Sequence, residues 1–68
     1  MSTLVNNEQL KSLVMDYYLS GMIQTEIREE GPSEGDIECI IELLIEDEKL
    51  PDEFDSLLNQ ALSIFNIK

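Results

Sequence analysis

Hydrophobic residues recur at helical spacing in three stretches of this chain, and the first stretch lies near the amino terminus. Asn6 or Asn7 is a suitable N-cap before it, and Gly21 is a suitable C-terminal residue after it. The spacing predicts a helix over residues 7–20. Its apolar stripe consists of Leu10, Leu13, Val14 and Tyr17.

The second stretch is both strongly apolar and the most acidic part of the chain. It follows Gly31-Pro32, a clear chain break, and starts with Ser33 as N-cap and Asp36 at the capping-box position. The pattern predicts a helix over residues 33–48. Its main apolar side, called the central stripe below, consists of Ile37, Ile40, Ile41 and Leu44.

The third stretch predicts a last helix over residues 51–66, because Pro51 suits a first helical turn and a wide apolar face follows it. The pattern also allows a short additional helix over residues 23–30. Together these elements predict an all-α fold, a small antiparallel three-helix bundle in one domain, residues 1–68. Leu4 and Val5 are expected to pack back on its core.

Composition excludes several classes of function. The net charge is −11, from 15 acidic against 4 basic residues, so direct binding of nucleic acid or of an anionic membrane is not expected. One cysteine and no histidine exclude an internal disulfide and a Cys/His zinc site. A lone thiol and the lack of a signal-peptide pattern favour the cytoplasm. No apolar run approaches the roughly 18 residues of a membrane span.

No motif indicates catalysis, a metal site or a cofactor. General acid–base chemistry needs carboxylates in a shielded environment, whereas these acids fall on open helix faces. We therefore expect no enzymatic activity, no metal and no cofactor. Cys39 is interpreted as a half-buried structural residue, Tyr17 as a core residue, and Tyr18 as a candidate interface residue.

Residues 23–41 read IQTEIREEGPSEGDIECII. The Gln-Thr-Glu-Ile opening, the Gly-Pro-Ser turn and Ile37 resemble the first helix, the turn and a buried position of helix-turn-helix proteins. The resemblance implies a tri-helical scaffold. Family members place basic and polar residues on the recognition helix, whereas this sequence has Glu34, Asp36 and Glu38 there. We therefore do not expect this face to read DNA.

Glu38, Glu42 and Glu46, called the acidic ridge below, recur at i, i+4 and i+8 of the second helix. Like charges at this spacing destabilise a helix by roughly 0.2–0.5 kcal/mol per pair. Asp47 and Glu48 follow at the helix end where the macrodipole favours cations. Folding alone does not require this arrangement. The ridge is either a solvated surface or a binding site.

The first functional hypothesis is a small protein-binding regulator or inhibitor that docks its acidic helix on a basic surface of a partner protein. If that partner binds nucleic acid, the acidic side chains would take the place of phosphates. The residues predicted to bind the partner are Glu34, Asp36, Glu38, Glu42, Glu46, Asp47 and Glu48.

The second hypothesis is a homodimeric assembly or adaptor module that acts through apolar helix faces. A chain of this length buries only about 60% of its unfolded surface, so dimerisation would help its core. Binding that weakens steeply with salt favours the first hypothesis. The residues predicted for the apolar interface are Tyr18, Cys39, Leu43, Ile64 and Ile67.

Overall fold

A computed structural model describes residues 5–67 of the chain and shows an all-α bundle of three helices. Helix α1 spans Asn7–Leu19, α2 spans Glu34–Glu46 and α3 spans Phe54–Ile64. Each helix packs against the other two. None of the helices in this part of the chain is long and apolar enough to cross a membrane. The predicted fold class is confirmed.

The core of the bundle is built around the central stripe of α2. All four side chains of this stripe are 0% exposed, and full burial of such a side chain stabilises the fold by about 1.5–3 kcal/mol. Because both neighbouring helices cover it, α2 holds the bundle together. The buried residues that α1, the α2–α3 loop and α3 contribute are Leu10, Val14, Tyr17, Tyr18, Leu50, Leu57 and Ala61.

The amino-terminal ends of α1 and α2 are capped as the sequence predicts. The side chain of Asn6 accepts a hydrogen bond from the Glu8 backbone N–H at 2.7 Å. Ser33 and Asp36 form both hydrogen bonds of a capping box. The prediction for α3 is wrong at its start, because Pro51 lies in the preceding loop and no side chain caps the helix at Glu53.

The second residue after each helix has the left-handed backbone conformation. Gly21 has φ of 79°, Glu48 has 61° and Asn66 has 57°. The next N–H then bonds back to a carbonyl of the last helical turn, so these carbonyls gain a partner. The donor and acceptor pairs are Met22 to Tyr17 at 3.4 Å, Lys49 to Leu44 at 2.9 Å and Ile67 to Leu62 at 2.9 Å.

The segment between α1 and α2, residues 22–30, forms no helix, so the predicted short helix at 23–30 is wrong. We call this segment the strap. Its backbone is held by the hydroxyl of Tyr18, which accepts from the Arg28 N–H at 2.7 Å and donates to the Glu26 carbonyl at 3.0 Å. Tyr18 is only 1% exposed. It is therefore a core residue, and its prediction as an interface residue is wrong.

Tyr17 is buried, as predicted, with 6% of its surface exposed. Val5 packs partly buried against the core, also as predicted. The Gln60 side-chain amide ties this amino-terminal segment to α3, because it donates to the Val5 carbonyl at 2.6 Å and to Asn7 Oδ1 at 2.8 Å. Leu4 lies outside the described residues.

Replacing Tyr18→Phe should lower the free energy of unfolding by about 1–3 kcal/mol, because the Arg28 N–H and the Glu26 carbonyl lose their partner. Urea unfolding measures this loss. Amide exchange at Arg28 should become faster. Ser12→Ala, which removes an exposed hydroxyl from α1, is the control and should change stability by less than about 0.5 kcal/mol. Equal effects of the two substitutions would contradict the role given to Tyr18.

Candidate functional site

The acidic ridge lies on the solvent side of α2. Glu38, Glu42 and Glu46 are all exposed, whereas the central stripe on the other side of the same helix is fully buried. Residues four apart rise about 6 Å along a helix, so the ridge extends over about 12 Å. Within residues 5–67 one salt bridge is found, and it joins Arg28 to Asp36. The ridge therefore has no cationic partner in this part of the chain.

Glu34 continues the ridge at the same spacing and is also exposed. It lies in the first turn of α2, where the positive end of the helix dipole favours a carboxylate. Glu34 thus adds a fourth acidic group to this side of α2 without the repulsion from the helix end that affects Glu46. Its position agrees with the prediction that it belongs to the acidic surface.

Asp36 fills the capping-box position that the sequence predicts, but its carboxylate is already paired. Its carboxylate accepts from the Ser33 N–H at 3.0 Å and from Arg28 Nη2 at 2.7 Å. Its side chain is only 14% exposed. A carboxylate already paired in this way is a poor binding group for a partner. Asp36 instead fixes the strap to the start of α2, and its assignment to the binding surface is corrected.

The surroundings of Asp36 also change its acidity. Partial burial alone would raise its pKa, but hydrogen bonds from the Ser33 backbone, Thr25 and the Ser33 hydroxyl oppose this effect. The charge of Arg28 adds to these bonds, and the net result is a pKa below the ordinary value of 3.8. The ionised carboxylate is therefore the form that the fold stabilises.

At the carboxyl end of α2, Asp47 directly follows the acidic ridge and contacts the core residue Tyr17. It is exposed, but one of its carboxylate oxygens accepts a hydrogen bond from the Tyr17 hydroxyl. This bond, with burial and the charge of Asp47, raises the pKa of Tyr17 above its ordinary value of 10.0. The Lys49 ammonium lies 5.2 Å from the centre of the Tyr17 ring. Asp47 thus contributes to helix packing as well as to the negative surface.

Glu48 is exposed and occupies the left-handed position that ends α2. A residue with a Cβ atom is less stable than glycine in this conformation by roughly 1–2 kcal/mol. Its negative charge also lies at the end of the helix where the dipole favours cations. Glu48 is therefore unfavourable for folding on two separate grounds.

The residues predicted for an apolar interface differ in their exposure. Leu43, Ile64 and Ile67 pack partly buried against the core. Cys39 is exposed, so its interpretation as half-buried is wrong. It lies next to the acidic ridge, three residues before Glu42.

The large apolar side chains that are most exposed lie outside the residue set predicted for an apolar interface. Leu19 is 55% exposed, Met22 is 51% exposed and Ile27 is 61% exposed. Met22 and Ile27 both lie in the strap. Leu19 falls off the apolar stripe of α1, and this helical position is the one sequence signal that points to its exposure.

Among residues 5–67, no set of three or more acidic or sulfur side chains is arranged to hold a metal ion. Comparison of the chain with protein-family models, curated proteins and solved structures finds no match in any of the three. Kinship with helix-turn-helix proteins stays a prediction. The residues that this pattern would place in a first helix belong to the strap.

Replacing Glu42→Gln should raise the free energy of unfolding by about 0.4–1 kcal/mol, because it removes two repulsive i, i+4 pairs. Thermal or urea unfolding at low salt measures the gain, which should shrink in 1 M salt because charges are then screened within about 3 Å. Glu29→Gln, an equal charge change in the strap, is the control and should give a smaller gain. Equal gains would mean that only net charge matters.

Asp36 should make stability depend on pH in the acid range. Because its pKa in the folded state is depressed, its contribution is present above the unfolded value of about 3.9. That contribution is lost as the pH falls through the folded value. The stability difference between the protein and its Asp36→Asn variant should be constant above about pH 5 and should shrink below pH 4. Urea unfolding across this range tests it.

The Glu34→Gln variant is the control for the acid series, since Glu34 is an exposed acid in the same helical turn. Its stability difference from the parent protein should change less over the same pH range. A difference between parent and Asp36→Asn that stayed constant down to pH 2 would contradict the stabilising role of the ionised carboxylate.

Proposed function

We propose that this protein is a small regulator or inhibitor that binds a basic surface of a partner protein through the acidic ridge of α2. The supporting observation is that Glu38, Glu42 and Glu46 are exposed, regularly spaced and without a cationic partner in the described chain. Glu34 and Glu48 extend the surface at its two ends. Asp36 is excluded because it is already paired with Arg28.

The energetics of α2 also support a binding role. Repulsion along the ridge and the left-handed Glu48 both lower the stability of the helix. A cationic partner surface would relieve the repulsion when it binds. The helix would then be more stable in the complex than in the free protein. Association should be fast and should weaken with salt, as is typical of complementary charged surfaces.

A partner that binds nucleic acid offers a suitable basic surface, because lysine and arginine side chains are arranged there to meet phosphates. In that case the acidic ridge occupies the phosphate positions, and duplex DNA or RNA competes with this protein for the partner. We place this activity in the cytoplasm, since a lone exposed thiol suits a reducing compartment.

The second candidate function is a homodimeric assembly or adaptor module. The observation that favours it is that three large apolar side chains, Leu19, Met22 and Ile27, are each more than half exposed. Such an interface would use these residues and the exposed Cys39 rather than the buried Tyr18. Its formation should be nearly independent of salt, in contrast to binding by the ridge.

The triple substitution Glu38→Lys, Glu42→Lys and Glu46→Lys tests the proposed function. The partner is first isolated from the native host by pull-down, and its affinity is then measured by biolayer interferometry over a range of salt. We expect reversal of the ridge to weaken binding at least 100-fold at low salt, because three attractive contacts become repulsive. Wild-type affinity should fall steeply between low and physiological salt.

A matched control separates the ridge from the net charge of the protein. The substitutions Asp16→Lys, Glu29→Lys and Glu30→Lys change the charge by the same amount at exposed positions outside α2. This variant should lose much less affinity. Equal losses in the two variants, or an affinity that survives reversal of the ridge, would overturn the proposal.

A further inference from the structure

A pocket of about 400 Å³ opens at the corner between α2 and α3, next to the carboxyl end of the acidic ridge. It is lined by Ile45, Glu48, Leu50 and Asp52. We propose that this pocket receives an arginine side chain of the partner protein. The inference rests on the proposed function and names the chemical group that one end of the ridge would recognise.

The lining matches the two parts of an arginine side chain. Ile45 is partly buried and Leu50 is 6% exposed, so the apolar surface open to the aliphatic stem comes mainly from Ile45. Glu48 and Asp52 are exposed and supply carboxylates to the charged end. Long basic side chains commonly bury the stem and keep the charged head at a polar rim. A purely apolar ligand would leave these carboxylates without a partner.

The two carboxylates are free to accept a cation. Within residues 5–67 neither Glu48 nor Asp52 makes a salt bridge. The adjacent Lys49 holds its ammonium 5.2 Å from the centre of the Tyr17 ring, and it forms no ion pair in this part of the chain. A guanidinium is less strongly hydrated than an ammonium and presents several donors in one plane. Arginine therefore suits a mixed apolar and acidic pocket better than lysine does.

The pocket is large enough to admit one long side chain. Sites for drug-sized ligands usually measure about 300–1,000 Å³, and this pocket lies near the lower end of that range. Its position fixes the geometry of docking. A partner whose basic residues lie along the ridge would place one arginine beyond Glu46, where the chain turns from α2 toward α3.

Titration of the whole protein with N-acetyl-arginine amide, followed by amide NMR spectra, tests the inference. Shifts should be largest at the four lining residues and should saturate with one affinity. N-acetyl-citrulline amide, a neutral molecule of nearly the same shape, should bind at least tenfold more weakly. N-acetyl-lysine amide should bind at least threefold more weakly. Equal binding of the citrulline or lysine probe would overturn the assignment of a guanidinium site.

Two variants with equal net charge locate the site. Glu48→Gln with Asp52→Asn should weaken binding of the arginine probe at least tenfold. Glu38→Gln with Glu42→Gln should weaken that binding less than twofold. Equal losses of affinity in both variants, or shifts spread evenly over all acidic residues, would contradict binding of the probe in the pocket.

Affinity for the isolated partner separates the two proposals. If the pocket variant keeps partner affinity while reversal of the ridge removes it, the proposed function stands and the pocket inference fails. If reversal of the ridge leaves partner affinity unchanged, the proposed function fails whatever the probe does. Both proposals are supported only if the pocket variant and the ridge variant each bind the partner more weakly.

Discussion

Burial of the central stripe of α2 is the interaction on which the rest of this structure depends. Ile37, Ile40, Ile41 and Leu44 lose all contact with water because α1 and α3 cover them together. Each helix of this bundle contacts the other two, so α2 turns only one side to solvent. The exposed acids of α2 therefore lie on that side. Core packing fixes the position of the acidic ridge, but it does not require acids there.

Contacts with the strap distinguish Asp36 from the unpaired acids of α2. Asp36 holds Arg28 and closes the capping box at Ser33, while Tyr18 fixes the strap backbone from the side of α1. These contacts join α1 and α2 through polar groups at one end of the bundle. The acids of the ridge have no such contacts in the described chain, so their charge remains available to a partner.

Much of the fold could be predicted from the sequence because helix periodicity and capping are local signals. The central stripe and the capping box at Ser33 follow directly from residue spacing. The strap could not be predicted in this way, because its conformation depends on the hydroxyl of Tyr18, which reaches residues eight and ten positions away. The pairing of Asp36 depends on a similar contact, because Arg28 lies eight positions before it in the chain. For this reason the pairing of Asp36 with Arg28 could not be predicted, whereas its capping-box position and the exposure of Glu38 and Glu42 could.

The free energies of burial and of charge repulsion explain how one helix can have both a buried apolar side and a repulsive acidic side. Full burial of four aliphatic side chains is worth at most about 6–12 kcal/mol. Three repulsive i, i+4 pairs and a left-handed glutamate together cost roughly 1.6–3.5 kcal/mol, which the core can offset. Domains of this size are stable by only about 3–10 kcal/mol, so the cost is a considerable fraction of the total. Single substitutions could remove parts of it without disturbing the buried side of α2. A fold selected for stability alone would have little reason to keep this combination, whereas a protein that binds a basic surface needs it.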